Sequence, residues 1–402
     1  MVPSEVSRRD FLTSLGSATV LTPLVAQALA VTPAAAEGDV PMDSDTKVRV
    51  GVVGGGFGAA FHWHEEPNCI VEAVADLRPD RRQNLMVRYK CEKAYESLEE
   101  MILDDRIDAI AIFTGVPDHV RHCVAVMNAG KHCICAVPAA MTLEECEQLI
   151  EAKERNDRKY MMAETSYYRP DTITARRLYE DGSFGDIIYS EVEYYHPLTG
   201  AERDSLWFFE GQRTWRYGYP PMLYPTHSTG FLVGASRERL VEVSCLGFGD
   251  AAKEPALADN VYGNPFGNQS ALFRTDRGHI CRCNVMWGIW AHGERAQWFG
   301  ERMSIYSPGC AGQGFMIQSA GQTPVTTMPD YTYMLPEAMR YDTGHGGSHP
   351  FLTHEFIQAI AEDREPTVNV YEAVAMTAPG IVAHQSAFRG GEQLKVPCFD
   401  PR

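Results

Sequence analysis

Short apolar runs alternate with amphipathic ones from Lys47 to Thr165, and this alternation limits the fold more than any other feature of the chain. Val48–Val53 is a glycine-bounded apolar strand, and residues 69–76, 107–115, 131–137 and 159–165 read as four more. Helical segments lie between them. One covers residues 97–105, and a second over 120–130 ends at Gly130, a good residue for the turn that stops a helix. A third opens on Thr142 with Glu145 three places later, a capping box. Strand–helix alternation of this kind implies an α/β fold, a doubly wound parallel sheet. After Tyr168 strands follow strands: residues 186–197, 240–249, 269–287 with a turn at Asp276–Gly278, and 302–313. That pattern implies a second, α+β domain with a large, mostly antiparallel open sheet. Residues 349–366 and 371–388 read as closing helices.

The loop after the first strand, Gly54-Gly55-Gly56-Phe57-Gly58-Ala59, fits a dinucleotide fingerprint through Gly54, Gly56 and Ala59. Glycines there permit a tight turn and let backbone N–H groups approach a pyrophosphate at the start of a helix. Asp76 follows 22 positions after Gly54, close to the ~20 expected of a ribose 2′-OH ligand. Its charge favours NAD over NADP, a preference that Arg78 could soften.

Residues 1–36 read as a twin-arginine export signal: Arg8 and Arg9 precede a moderately apolar stretch, then small-residue sites. Residues 37–46 read as a linker, 47–166 as the NAD-binding domain and 167–402 as the substrate-binding domain. Cleavage after Ala36 and a periplasmic or secreted location are expected, with no membrane contact in the mature form. The 11 cysteines contain no C-x-x-C, and the pairs Cys133/Cys135 and Cys281/Cys283 read as small buried hydrophobes. Folding before export reconciles them with the signal and allows a cofactor to be loaded first. A net charge of −17 argues against a nucleic-acid partner.

The glycine loop, "VPDH" (116–119), "AGKHCICAVPAAMTLEE" and "MMAETSYYRP" resemble the Gfo/Idh/MocA family of NAD(P)-dependent oxidoreductases. That resemblance implies cofactor contacts at Gly54, Gly56, Phe57, Gly58, Asp76, His119, Val137 and Pro138. It also implies a homo-oligomer formed through the open sheet. Typical members read E-K-P where this chain has Ala136-Val137-Pro138, so their proton-moving lysine is missing. Leu223 stands where they carry an aspartate, four residues before the site histidine.

"VPAAMTLEE", "WRYGYPPMLYPTHSTG" and "EYYHPL" are similar to the NAD-dependent glycosidases of the superfamily, typified by α-N-acetylgalactosaminidases. Ser228 and Ala136 depart from their glycine and glutamate, so the sugar is not carried over. The resemblance implies hydrolysis by transient C3 oxidation, elimination, water addition and re-reduction. Tyr194 is expected to move the C2 proton if its pKa is lowered, and His227 to handle a hydroxyl or carbonyl proton; the two roles are interchangeable at this level. Trp215, Arg216, Tyr224 and His196 are the expected contacts to a carbohydrate or glycoside. No carboxylate pair stands out in the C-terminal strands.

Plainer readings stand beside these. His227 and His119 would only cap helices, Tyr194 would be a sheet-face aromatic, and Trp215 and Arg216 would fill the domain interface. The segment "GHGGSHP" (344–350) is expected at the site mouth, and no metal is expected from His345 and His349. Two other functions remain open: net oxidation or reduction of a sugar or glycoside, and non-catalytic binding of NAD or sugar.

Overall fold

The computed structural model describes residues 46–197, 200–309 and 312–401, so the expected export signal, and nearly all of the expected linker, lie outside the described residues. Six parallel strands form the first sheet: β1 (Val48–Val53), β2 (Cys69–Ala75), β3 (Ala94–Tyr95), β4 (Ala109–Ile112), β5 (His132–Cys135) and β6 (Tyr160–Met162). Their order is β3-β2-β1-β4-β5-β6. The order reverses between β1 and β4, where open α/β sheets place their ligands. β4 is buried at all four positions because helices cover both faces, which is why its sequence, Ala-Ile-Ala-Ile, carries no polar alternation.

Helices α1 (Pro79–Tyr89), α2 (Leu98–Met101), α3 (His119–Asn128) and α4 (Leu143–Asn156) accompany this sheet. The capping box at α4 is present in both directions: Glu145 N–H donates to Thr142 Oγ1 at 3.1 Å, and Thr142 N–H to Glu145 Oε2 at 3.2 Å. The helix expected after the glycine loop is not a full one. A four-residue 3-10 turn, Phe57–Ala60, gives way at left-handed His62 to a second turn, Trp63–Glu65. Phe61 and Trp63 are fully buried, and seating both aromatics inward bends the chain where a continuous helix would carry it on.

After α5 (Pro170–Glu180) comes the central strand of the second sheet, β7 (Ile187–Tyr195). Helix α6 (Gly200–Trp207) leads into a hairpin of β8 (Phe208–Phe209) and β9 (Gln212–Arg213), turning at Glu210 and Gly211 with positive φ. Then follow α7 (Thr226–Ser236), β10 (Leu240–Phe248), β11 (Asn268–Thr275), β12 (Ile280–Met286), β13 (Gly293–Gly300), β14 (Met303–Tyr306) and β15 (Met316–Ser319). The chain closes with α8 (His349–Ala361), α9 (Val370–Phe388) and β16 (Leu394–Lys395). The eight strands run in the order β15-β14-β13-β7-β12-β11-β10-β16, antiparallel except for the β7–β12 pair. β11 alternates buried and exposed residues because its sheet is covered on one face only.

Two large hydrophobic cores result, with a small third cluster of Trp207, Tyr217 and Ala256. One lies within the second sheet and its helices; the other is the Rossmann core, and it takes in Phe351, Phe356 and Val374 of α8 and α9. The end of the chain therefore returns to the first domain and ties the halves together. All eleven residues of α7 are buried, which sets it between the two halves rather than on a surface. The ten described cysteines are free, and nine are buried or partly buried.

Candidate active site

One cleft of about 1410 Å³ runs from the glycine loop to the second sheet. At its first end Gly54 adopts φ +96°, a conformation that L side chains rarely take, and a Cβ there would collide with the Phe113 carbonyl. Asp76 lies just past β2 and orders the loop: its carboxylate accepts Gly55 N–H at 2.6 Å and Arg78 N–H at 2.8 Å. Gly54, Gly56, Phe57, Asp76 and Val137 all line the cleft. Arg78 is held by Asp80 at 3.1 and 2.6 Å and lies 4.2 Å from the Phe209 ring centre. Its side chain lines the cleft beside Asp76. Arg81 was not singled out from sequence. Its guanidinium sits over Gly56 and lines the cleft, supplying positive charge where a pyrophosphate would lie. A glycine loop, a buried carboxylate at the ribose distance in sequence and a nearby arginine fit a dinucleotide.

Three expected cofactor contacts do not line the cleft. Gly58 packs under Phe113, where a Cβ would come within 2.8 Å of the ring, and its carbonyl accepts Tyr89 OH. His119 is 1% exposed, with Nδ1 2.8 Å from the Pro138 carbonyl and Nε2 3.2 Å from that of Thr114. It pins two loops together, and burial lowers its pKa. Pro138 follows a cis peptide bond and serves through that carbonyl. Val137 does reach the cleft, so the wall there is apolar. Leu223 is buried, and its carbonyl accepts Tyr219 OH at 2.9 Å.

At the other end Tyr194, His196, Trp215, Arg216, Tyr224 and His227 meet. Trp215 closes onto Gly115, where a Cβ would lie 2.8 Å from the indole, and Arg216 stacks on Trp215 at 4.3 Å. These two residues thus line the site and join the halves at once. Tyr194 faces His227 at 4.8 Å between ring centres, and Tyr224 stacks against Tyr194 at 6.1 Å.

His227 does not cap its helix. α7 begins one residue earlier, and the ring turns toward β6, with Nδ1 3.0 Å from Glu164 Oε1. Glu164 lies two residues past the end of β6, fully buried, and the same oxygen accepts Ser166 N–H at 2.8 Å. A bond from Nδ1 to a carboxylate orients the imidazole and leaves Nε2 for the cleft. Burial disfavours charge on both groups, yet their mutual attraction prevails: the imidazole is held above its ordinary value, with Glu294 adding to the pull, and the Glu164 carboxyl below its own.

Glu294 also lines the cleft. It sits on β13 directly across from Tyr194 on β7. Its Oε2 takes Arg169 Nη2 at 2.5 Å and Ser166 Oγ at 3.4 Å. Two carboxylates, Glu164 and Glu294, therefore flank His227 where sequence showed no pair. Neither was legible as one, because the first caps the turn after a Rossmann strand and the second lies on a strand with no clear apolar pattern. Tyr194 meets the expectation of a cleft position beside His227. Burial, Tyr224 and Glu294 push its phenol well above the ordinary value, the opposite of the lowering a tyrosine base would need.

His345 reaches the cleft from the expected glycine-rich segment, 6.0 Å from His227 between ring centres. Its Nδ1 lies 3.0 Å from His349 Nε2, and burial lowers both rings to about 4. Among the described residues no group of three or more His, Cys, Asp or Glu could hold a metal ion.

Residues 48–164 match the model of the oxidoreductase family with an NAD-binding Rossmann fold, and residues 329–401 match the C-terminal domain of glycosyl hydrolase 109. A glycosyl hydrolase family 109 protein of Solibacter usitatus is 26% identical over 332 residues, 75% of this chain and 74% of that protein. The alpha-N-acetylgalactosaminidase of Shewanella oneidensis is 31% identical over 198 residues, 46% of this chain and 43% of that protein. Levoglucosan dehydrogenase in complex with NADH and levoglucosan superposes with a TM-score of 0.73 at 20% identity, covering 88% of this chain and 100% of that one; this likeness shows the fold. With a parallel Rossmann sheet and a second open sheet, the chain thus matches the Gfo/Idh/MocA oxidoreductase family over its NAD-binding half and glycosyl hydrolase 109 over its C-terminal segment, and its listed relatives are glycosyl hydrolase family 109 proteins.

Proposed function

We propose that this protein is an NAD-dependent glycosidase that acts on its sugar by transient oxidation. The observation that carries the reading is the exchange of proton-handling groups within one cleft. Val137 is apolar where a dehydrogenase of this family has lysine, while a carboxylate-backed His227 and Tyr194 face the cleft from the second domain. NAD, when bound, supplies reversible removal of hydride from C3 of the sugar. His227 Nε2 holds the proton of the reacting hydroxyl, with the imidazole charge supported by Glu164. Trp215 and Tyr224 offer apolar faces to a pyranose, and Arg216 offers donors to its hydroxyls. The family match to a glycosyl hydrolase 109 segment supports hydrolysis over net oxidation. The sugar itself stays open, since Ala136 departs from the related glycosidases at a cleft position.

The test uses aryl glycosides and purified protein with no added NAD. Aglycone release is expected. It should stop when bound dinucleotide is stripped and return with trace NAD. NADH accumulating with sugar in place of aglycone would favour the dehydrogenase reading. Export by the twin-arginine route belongs to the same proposal, because a cofactor regenerated on every turnover suits a compartment without a dinucleotide pool. So does self-association: Leu246, Phe248 and Leu272 stand exposed on the open sheet face, and sedimentation velocity is expected to show more than a monomer.

A further inference from the structure

The C2 proton needs a base, and the cleft offers a carboxylate directly across the β7–β13 pair from Tyr194, kept ionised against burial by the charges of His227 and Arg169. The cleft's other carboxylates, Asp76, Glu99 and Asp118, all belong to the Rossmann half. Glu294 alone comes from the sheet that faces the sugar site. Its side chain is 9% exposed, and both of its bonds fall on Oε2. Oε1 has no protein partner among the described residues. Arg169 and Ser166 thus fix the carboxylate, and one oxygen is left over. Tyr194 is its direct neighbour across the β7–β13 pair, so the two side chains rise from adjacent strands toward the same substrate face. His227 lies beside Tyr194, completing a row of three proton-handling groups.

We infer that Glu294 is the base that removes the C2 proton, and that Tyr194 instead protonates the departing oxygen at C1. This rests on the glycosidase reading above. With the sugar as its 3-ketone, Glu294 Oε1 takes the C2 proton. The C–H electron pair becomes the C2–C3 double bond, and negative charge moves to O3, beside His227. The pair then shifts to form C1=C2 as the C3 carbonyl returns and the C1–O bond breaks. The leaving oxygen departs with its electrons and takes the Tyr194 proton. In the hydration half Tyr194 recovers a proton from water as the water oxygen bonds to C1, and Glu294 returns its proton to C2. A carboxylate is a competent base for a proton next to a carbonyl, as in other enzymes that form enolates. Tyr194 enters this scheme with its proton on, in keeping with its buried surroundings.

The experiment compares Glu294→Gln, Glu294→Asp and Tyr194→Phe with the wild type in deuterated water, following C2 hydrogen exchange of an aryl glycoside and aglycone release. Dinucleotide content and thermal midpoint are read on each sample. Glu294→Gln keeps the shape and an acceptor for Arg169, so it should fold and still reduce bound NAD when given substrate. Its C2 exchange should fall by about 10²–10⁴-fold, the worth of a positioned base. Glu294→Asp should recover part of that loss. Tyr194→Phe should keep exchange yet release aglycone slowly, most clearly with poor leaving groups. Wild-type exchange rates in Glu294→Gln, or exchange lost only in Tyr194→Phe, would overturn the assignment while leaving the glycosidase reading intact. A wild type that neither exchanges nor releases would overturn both.

Discussion

Glu164 has no exposed surface, and such a carboxylate stays charged only because His227 faces it. The signs follow from that pairing. Glu164 is held below its ordinary pKa, so its contribution to stability is present above the unfolded value of ~4.3 and fades as pH falls through its folded value. His227 is held above its own, so its contribution is full below ~6.5 and is lost as pH rises through the folded value. The pair therefore stabilises most between those limits. Glu164→Gln removes one support of the imidazolium and so lowers the pKa of His227; because His227 must be neutral to take the hydroxyl proton, the acidic limb of the pH–rate profile should move to lower pH. A profile measured on aryl glycoside release checks this; an unmoved limb would mean that His227 does not limit the reaction there. At Val137, lysine would bring a charge to an apolar wall but no aspartate at Leu223, so Val137→Lys should not gain net sugar dehydrogenase activity. Steady-state NADH formation with free sugars is the readout. His227 and Tyr194 were legible in sequence because short motifs carry them. Glu294 was not, since its meaning depends on a strand register that places it opposite a residue a hundred positions earlier.

Among the elements, α7 governs the site because it is buried on every side and presses against the end of β6. Gly230 permits that contact: a Cβ there would lie 2.9 Å from Glu164 Cγ. Gly230→Ala should displace Glu164, release its hold on His227 and lower turnover by at least tenfold, while dinucleotide content stays at the wild-type level. Equal turnover would show that the glutamate can shift without consequence. Several elements were plain in sequence. β1 has the bounds its apolar run implies, and the capping box fixes the start of α4. The turn after β1 was not plain. A glycine fingerprint reports the phosphate loop, but whether a long helix follows is decided by where Phe61 and Trp63 find a core. His119 depends on tertiary context in the same way: its motif position suggested a ligand, and the fold sets its ring nitrogens against the carbonyls of two loops.

At the scale of the whole molecule the two halves share their ends. The closing helices return to the Rossmann core, and Phe209 of the β8–β9 hairpin covers Arg78 at the ribose end of the cleft. A cover of this kind suits a cofactor that stays bound through many turnovers. Among the described residues no helix is long and apolar enough to cross a membrane. The proposed export rests on the arginine pair in the sequence, and replacing Arg8 and Arg9 together by lysine should leave the full-length precursor in the cytoplasm of an exporting host; fractionation with immunodetection reads the outcome, and unchanged export would remove the basis for that location. The most direct measurement of the central claim follows aglycone, NADH and product deuterium together in one sample of purified protein, in deuterated water with an aryl glycoside and no added NAD. Aglycone should appear in large excess over enzyme, NADH should not exceed the bound dinucleotide, and the released sugar should carry deuterium at C2. Hydrolysis without deuterium at C2, or NADH accumulating without aglycone, would contradict a glycosidase that works through transient oxidation.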